Sequence, residues 1–378
     1  MPFLLLLLIA FVFIFGKSLP HGLFQFLLAI SITLKSVIVF LMPFVIFSLL
    51  FCTFHHMGAN ASLIIGFTFL MVCISNFFAT FAGHFVGRAI YMVPWDLSIP
   101  AVGRELAPAF DFQLPKLIPN AWAMAAGIIG GISTAKLPSN KTIQITSLLD
   151  RLARQLLRII LAIIPMFLLG FLLKMQYNGQ LILLVRQYVS VVAVILCALS
   201  AYLFLFYWIA NGYNFRRTLA ALRNMFPAVV CAFGSMSSAA ALPYSLAAAE
   251  KNTANKPLAR SIVSMTTNIH LVGDCIIDTV LIYAILRSYH LPGPSMTLFL
   301  TFAFQFVLAK FSVAAVPGGG IIVALPIIER AFGFSGTMAS LIFSMYLILD
   351  PFATTANVLG NGAFVQLTDR LIGAKLKK

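Results

Sequence analysis

Apolar runs long enough to cross a bilayer recur along nearly the whole of this 378-residue chain, and they decide what it can become. A hydrocarbon core about 30 Å thick takes roughly 17–25 residues of helix, and inside it every backbone N–H and C=O must find a partner within the protein. Only helices and closed barrels meet that demand. The runs here are uninterrupted and lack the alternation of a barrel strand, so the fold expected is an all-α polytopic membrane protein. Composition agrees: 61% of residues are hydrophobic and 9% charged, against about 45–50% and about 25% in soluble domains.

The runs place spans near 2–16, 22–53, 60–92, 118–135, 144–174, 181–211, 258–287 and 337–368. Two further segments, near 218–250 and 294–330, are apolar but broken in the middle. The formal charge of +15 follows from topology rather than from a nucleic-acid partner. With the N-terminus in the cytoplasm, fifteen Lys and Arg fall inside and eight outside, as the positive-inside rule requires. Both termini are then cytoplasmic. Met1 to Phe15 reads as a short first span, because a cleaved signal would carry a basic residue ahead of its apolar run. The longest polar excursion, around Trp95 to Leu114, reads as a connecting loop. Five cysteines (Cys52, Cys73, Cys197, Cys231 and Cys275) lie in apolar stretches with no CxxC pair, and read as small core residues.

Three places break the apolar pattern at membrane depth, where irregular backbone is tolerated only against protein or a cavity. They are GSMSSAAALP (Gly234 to Pro243), AVPGGGIIV (Ala315 to Val323) and LDPFATTANVLGNG (Leu349 to Gly362). The first two read as tips of re-entrant hairpins whose arms are too short to span alone. Small residues let two arms pack closely, Pro removes a helical hydrogen bond, and consecutive glycines free the backbone to turn. Such a tip points N–H groups of a helix start at an anionic ligand. The competing reading is a kinked helix in which Ser237 and Ser238 bond back to their own carbonyls. Discontinuous segments in corresponding halves are the sequence mark of a secondary-transporter site.

These motifs, in this order, resemble the dicarboxylate/amino acid:cation symporter family, which includes the glutamate and neutral amino acid transporters. VFLMPFVIFSLLF (Val39 to Phe51) is similar to the family's second span around its Met-Pro pair. SMSSAAALP resembles the serine-rich first tip, VPGGG the second, and DPFATTANVLGN the last-span pattern. The resemblance covers nearly the whole chain and marks it as a divergent, bacterial-type member. It implies eight transmembrane helices plus two re-entrant hairpins in an inverted-repeat fold. Residues 1–211 would be mainly scaffold and trimerisation spans, with some transport-domain helices, and 212–378 the core transport domain. It further implies a homotrimer of the cytoplasmic (inner) membrane, an elevator motion, no cofactor and no enzyme activity. Asp350 to Asn361 would form the unwound wall of the site.

The substrate-binding residues that the resemblance implies are Ser237, Ser238, Val316, Pro317, Gly318, Gly319, Asp350, Ala353, Thr354 and Asn357. Asp350 would hold a substrate amine, since a buried carboxylate is costly unless paired. The family's arginine for an acidic side chain corresponds to Ala353. Without a guanidinium there is no bidentate fork for a second carboxylate, so a neutral amino acid is expected over an acidic amino acid or dicarboxylate. Lys310 could replace that charge, but it lies seven residues before Pro317, roughly 10 Å of helix away. A snorkelling or locally paired role suits it better.

The family's cation ligands are eroded here, with Val272 and Asn361 at two carboxylate positions. A sodium ion at Asn357 and Asn361 is one expectation. The other is a proton: Thr266, His270, Asp274, Asn357 and Asn361 are the coupling candidates. His270, Asp274 and Asp278, at i, i+4 and i+8, would share one helix face. A proton relay and a packed polar stripe both fit that spacing. Besides symport, an uncoupled anion channel and a non-transporting relative stay open. A membrane hydrolase has the residue types, but it lacks a GxSxG elbow.

Overall fold

The computed structural model describes residues 2–16, 19–59, 63–93, 107–115, 117–118, 120–135, 140–177, 180–313 and 318–372. The second-tip residues Val316 and Pro317, and most of the loop between Trp95 and Leu114, lie outside them. Every regular element among the described residues is helical. The chain is an all-α, multi-pass membrane protein.

The first half runs through α1 (Pro2–Phe15), α2 (His21–Ala59), α3 (Leu63–Met92), α4 (Asn120–Ala135), α5 (Asn140–Tyr177) and α6 (Gln180–Ala210). Small residues set how these helices meet. Gly127 and Gly131 of α4 lie against the backbone of α2 at Phe47 and Phe51, where a Cβ would collide. This is the small-xxx-small spacing that lets membrane helices approach closely. Ser31 of α2 donates to the Phe167 carbonyl of α5 at 2.6 Å. The outward faces carry exposed apolar side chains such as Phe78, Trp122 and Ile129, the composition that a lipid solvent selects. Helices α1 and α4 have 14 and 16 residues, about 21 and 24 Å at 1.5 Å per residue, short of a full hydrocarbon core.

In the second half, α7 (Phe215–Ser235) and α8 (Ser238–Asn252) form the first hairpin. Its arms interlock through Ala221, Ala228, Ala232, Ala241 and Ala248. Asn224 and Asn252 tie the open end with a 2.7 Å bond. With 21 residues α7 is long enough to cross by length alone, so only α8 is as short as a re-entrant arm was expected to be. The second hairpin comprises α11 (Met296–Ala309), a 3-10 turn at Lys310–Ser312 and α12 (Gly319–Phe332).

Two expectations are corrected here. The span near 258–287 is two helices, α9 (Lys256–Thr266) and α10 (Val272–Ser288), separated by a break at 267–271. Thr266 and Thr267 turn their hydroxyls onto the Ile262 and Val263 carbonyls, at 2.9 and 2.6 Å. Asn76 of α3 then holds both sides of the gap, donating to the Ile269 carbonyl and accepting from the Leu271 N–H, at 2.8 and 3.0 Å. A count of apolar residues passes over such a break, because its backbone is satisfied by a distant side chain. Conversely, the stretch from Asp350 to Asn361 is not unwound. Helix α13 runs from Gly336 to Ile372 with Pro351 inside it. One proline removes one backbone bond, which a long packed helix survives. The polar residues of this stretch recur at four, three and four positions, so they form a stripe on a continuous helix.

Helix α10 is the centre of the molecule: 16 of its 17 residues are buried. It packs between α3 and α13, and its polar residues therefore face protein on every side.

Candidate functional site

The N-terminal ends of three helices meet beside the polar stripe of α13. They are the first turn of α8 at Ser238, the start of α10 at Leu271, and the start of α12 at Gly320. With Met236, Thr267, Asn268, Asp274, Val313, Tyr346, Asp350, Thr354 and Asn357 they line one cavity. Each helix start presents N–H groups and the positive end of its dipole. The room inside is about 20 Å³, enough for about one water molecule.

Each tip has a specific backbone. Met236 turns the first hairpin in the left-handed region at φ 50°, and Ser237 caps α8 by accepting from the Ala240 N–H at 3.3 Å. Ser237 thus shapes the tip, while Ser238 lines the cavity. Gly318 begins the second tip's returning arm at φ 73°, a conformation that favours glycine. Its N–H donates to Asp350 Oδ2 at 2.7 Å. Gly319 opens α12 and is buried, and Gly320 sits so close to the Asp274 carboxylate and the Tyr346 hydroxyl that a Cβ there would collide with both.

Three carboxylates are buried in this region, each with a different company. Asp350 is 4% exposed. It accepts from Gly318 and, through Oδ1, from the Thr354 hydroxyl at 3.3 Å. Among the described residues no Lys, Arg or His makes an ion pair with it. Asp274 accepts from the Tyr346 hydroxyl at 2.8 Å and the Asn357 amide at 3.1 Å. Asn357 Oδ1 in turn accepts from the Gly273 N–H at 2.8 Å. Asp278, fully buried, is paired with Lys310, whose Nζ lies 2.8 Å from Oδ2.

Sequence reasoning missed Lys310 as the centre of this group. Its ammonium is 1% exposed, lies 3.7 Å from Asp274 Oδ2 and stands 4.3 Å from the Phe306 ring centre. The sequence signal was its isolation in an apolar segment, which makes a buried partner obligatory. Tyr346, Gly320 and Asn76 were also missed. Asn76 follows Ser75 inside an apolar span, a pair of polar residues that could have been singled out.

His270 does not share a helix face with the two aspartates. It sits in the break, outside α10, with Nε2 2.8 Å from Ser75 Oγ and Nδ1 3.1 Å from Asn361 Oδ1. The i, i+4, i+8 argument assumed a helix that is interrupted at that point. His270 and Asn361 therefore form one polar group, and Asp274, Asn357 and Lys310 another. Thr266 bonds within α9 and does not line the cavity. Ala353 is fully buried at the contact of α13 with Gly273, where a Cβ on the glycine would meet the Ala353 carbonyl.

A sodium ion held by Asn357 and Asn361 does not fit this arrangement. The Asn357 oxygen accepts from the start of α10, the Asn361 oxygen faces His270, and the nearby Asp274 oxygens face a hydroxyl, an amide and an ammonium. Such an ion needs oxygen atoms turned towards one point. A larger cleft of about 490 Å³ lies between α2, α5 and α13, with Lys35 and Lys174 on its wall. It contains none of the sequence-predicted residues.

A protein-family model described as the sodium:dicarboxylate symporter family matches residues 1–371. Similar curated proteins come from Caenorhabditis elegans. The putative sodium-dependent excitatory amino acid transporter glt-6 is 25% identical over 159 residues, 42% of this chain and 29% of that protein. The putative sodium-dependent excitatory amino acid transporter glt-4 is 26% identical over 166 residues, 43% of this chain and 32% of the relative. A third, an excitatory amino acid transporter, is 29% identical over 144 residues, 37% of this chain and 28% of the relative. The matched stretches thus span about three tenths of these relatives' length.

Proposed function

The chain belongs to the sodium:dicarboxylate symporter family, and from that premise we propose that it carries a small neutral amino acid across the membrane in symport with a cation. The observation that carries the substrate class is Asp350. Its carboxylate is buried at a cavity beside the starts of α8, α10 and α12, bonded to neutral donors, with no Lys, Arg or His ion-paired to it among the described residues. A substrate ammonium supplies the missing charge, and an ion in a dry site is stable only when so paired.

The other end of an amino acid is a carboxylate. The helix starts at Ser238, Leu271 and Gly320 favour an anion there, so the cavity suits a zwitterion laid between Asp350 and the tips. Among the described residues no Lys or Arg is in the cavity lining. The position of the family's arginine is Ala353, and Lys310 is engaged by Asp278. An acidic side chain would therefore enter without a partner, near two carboxylates. This supports alanine, serine or threonine over aspartate or a dicarboxylate.

In this reading the two hairpins gate the cavity. Residues 212–378 move as a transport domain against scaffold spans within 1–211, in an elevator motion of a homotrimer. The setting is a bacterial cytoplasmic membrane with both termini inside. The coupling ion is sodium or a proton, and the gradient that drives uptake distinguishes them. The relatives are described as sodium-dependent, which favours sodium. His270 in its polar break favours the proton. The test is uptake of radiolabelled alanine, serine, aspartate and succinate into liposomes holding the purified protein, under an imposed sodium or proton gradient. Saturable neutral amino acid uptake supports the reading. Saturable aspartate or succinate uptake with no neutral uptake overturns the substrate class, and current without saturable uptake overturns symport itself.

A further inference from the structure

Lys310 raises a question that the substrate reading does not answer. A lysine side chain carries its charge on a long flexible stem and normally reaches water or a headgroup. This one is 1% exposed. It stands on the 3-10 turn between α11 and the second tip, and its ammonium is surrounded by Asp278 Oδ2 at 2.8 Å, Asp274 Oδ2 at 3.7 Å and the face of Phe306 at 4.3 Å. The aspartates come from the first turns of α10, and Asp274 is also a wall of the cavity. Asp278 Oδ1 is buried and has no hydrogen-bond partner.

Take the ammonium away, and two carboxylates four residues apart are left in a dry interior. That arrangement is among the most costly a membrane protein can hold, and it is what a free cation would be recruited to neutralise. We propose that Lys310 is a built-in counter-cation: its ammonium occupies, on a tether, the place beside Asp274 and Asp278 that a sodium ion would otherwise fill. The misfit of sodium to Asn357 and Asn361 then has a cause. One unit of the charge that would draw an ion to Asp274 and Asp278 is already met from within the chain. The tether also has a consequence. Lys310 is part of the chain, so the cation beside Asp274 and Asp278 is not taken up from solution. Each transport cycle takes one free cation fewer than it would with an open site here. This last step rests on the proposed symport, but the existence of the site does not.

The test reads folding and needs no transport. Thermal unfolding of the purified protein in detergent is followed in sodium chloride and in choline chloride at equal ionic strength. Wild type, Lys310→Met and Lys310→Met/Asp278→Asn are compared. The single variant leaves the orphaned carboxylates for a free ion. Its midpoint is expected to rise with sodium more than the wild type's does, the folded-to-unfolded ratio gaining about a hundredfold when sodium is a hundredfold over its dissociation constant. The double variant removes one charge of each sign, and its sodium response should return to that of wild type. A Lys310→Met protein that folds only in sodium gives the same support. The proposal is overturned if the single variant responds to sodium no more than wild type, or if the double variant keeps the gain. It is equally overturned if Lys310→Met is unfolded in both salts, since sodium then cannot take the ammonium's place. Failure of amino acid uptake leaves all these outcomes readable, so the two readings fall separately.

Discussion

Asp350→Asn separates a substrate-binding role from a structural one, because the two predict changes of opposite sign. In the present arrangement Oδ2 accepts from the Gly318 N–H at 2.7 Å and Oδ1 from the Thr354 hydroxyl at 3.3 Å. An asparagine oxygen can keep the shorter bond. Its amide then faces Thr354 Oγ, which accepts as readily as it donates. Geometry is preserved and only the charge is lost. Without substrate, the variant escapes the cost of a buried carboxylate that has no cationic partner, so its thermal midpoint should be unchanged or higher.

With substrate the balance reverses. A charge-assisted bond contributes about 1.5–3 kcal/mol net and a neutral one about 0.5–1.5. The midpoints of these ranges differ by about 1.2 kcal/mol, a roughly eightfold rise in the concentration needed for half-maximal uptake. The assay is concentration-dependent uptake of alanine or serine into liposomes, run beside a thermal melt of the same preparations. A lower midpoint with wild-type affinity would make Asp350 a latch for the second tip and remove it from the substrate site.

Other perturbations follow from the same geometry. Asn76→Ala strips partners from the Ile269 carbonyl and the Leu271 N–H. Stability should fall by roughly 2–6 kcal/mol, at about 1–3 per orphaned buried group, and an unchanged denaturation midpoint would show that water fills in. Gly320→Ala pushes a Cβ into the Asp274 carboxylate and the Tyr346 hydroxyl. It should cost about 1–3 kcal/mol and slow uptake, and wild-type values of both would mean that α12 shifts freely. Wild-type protein should be inhibited by alanine, serine or threonine far more than by aspartate, and high-affinity competition by aspartate would refute the argument from Ala353. His270→Ala should abolish proton-driven accumulation while sparing substrate exchange. Accumulation that survives in a sodium gradient would leave the histidine as packing between Ser75 and Asn361.

How far the sequence could be read depended on what kind of signal each feature leaves. Long apolar runs declare their class without help, because a bilayer admits one backbone solution for them. The first hairpin tip was legible for a related reason: a Ser-rich stretch inside an apolar run has few other uses. The break at 267–271 was not legible, because TTNIHLVG averages out as apolar and its backbone partner is Asn76, far earlier in the chain. The same stretch misled the reading of His270, since a spacing rule holds only while the helix continues. Asp350 to Asn361 misled in the other direction, its Pro and Gly suggesting an unwound wall where a helix persists. For Lys310 the sequence signalled that a partner must exist but not which one. Its distance along the chain from Pro317 argued against a role at the tip, but its partners stand on another helix, which no local spacing reports.

The charges themselves argue for coupled transport. Asp274, Asp278 and Asp350 are buried together, and Lys310 is the one ammonium ion-paired among them in the described residues. Taken as ionised, they leave an excess of two negative charges. An amino acid entering as a zwitterion brings its ammonium to Asp350, but its carboxylate goes to the helix starts, so the site as a whole gains nothing net. Helix dipoles offset part of a charge and only near their ends. Loading the cavity with a neutral amino acid therefore still leaves negative charge in a dry region, where each uncompensated unit costs several kcal/mol. In the proposed symport, closing the site over it is favoured only when positive charge has come in as well. A carrier of this composition that moved its substrate alone would have to carry that cost across the membrane in every cycle, and each co-transported cation removes one unit of it.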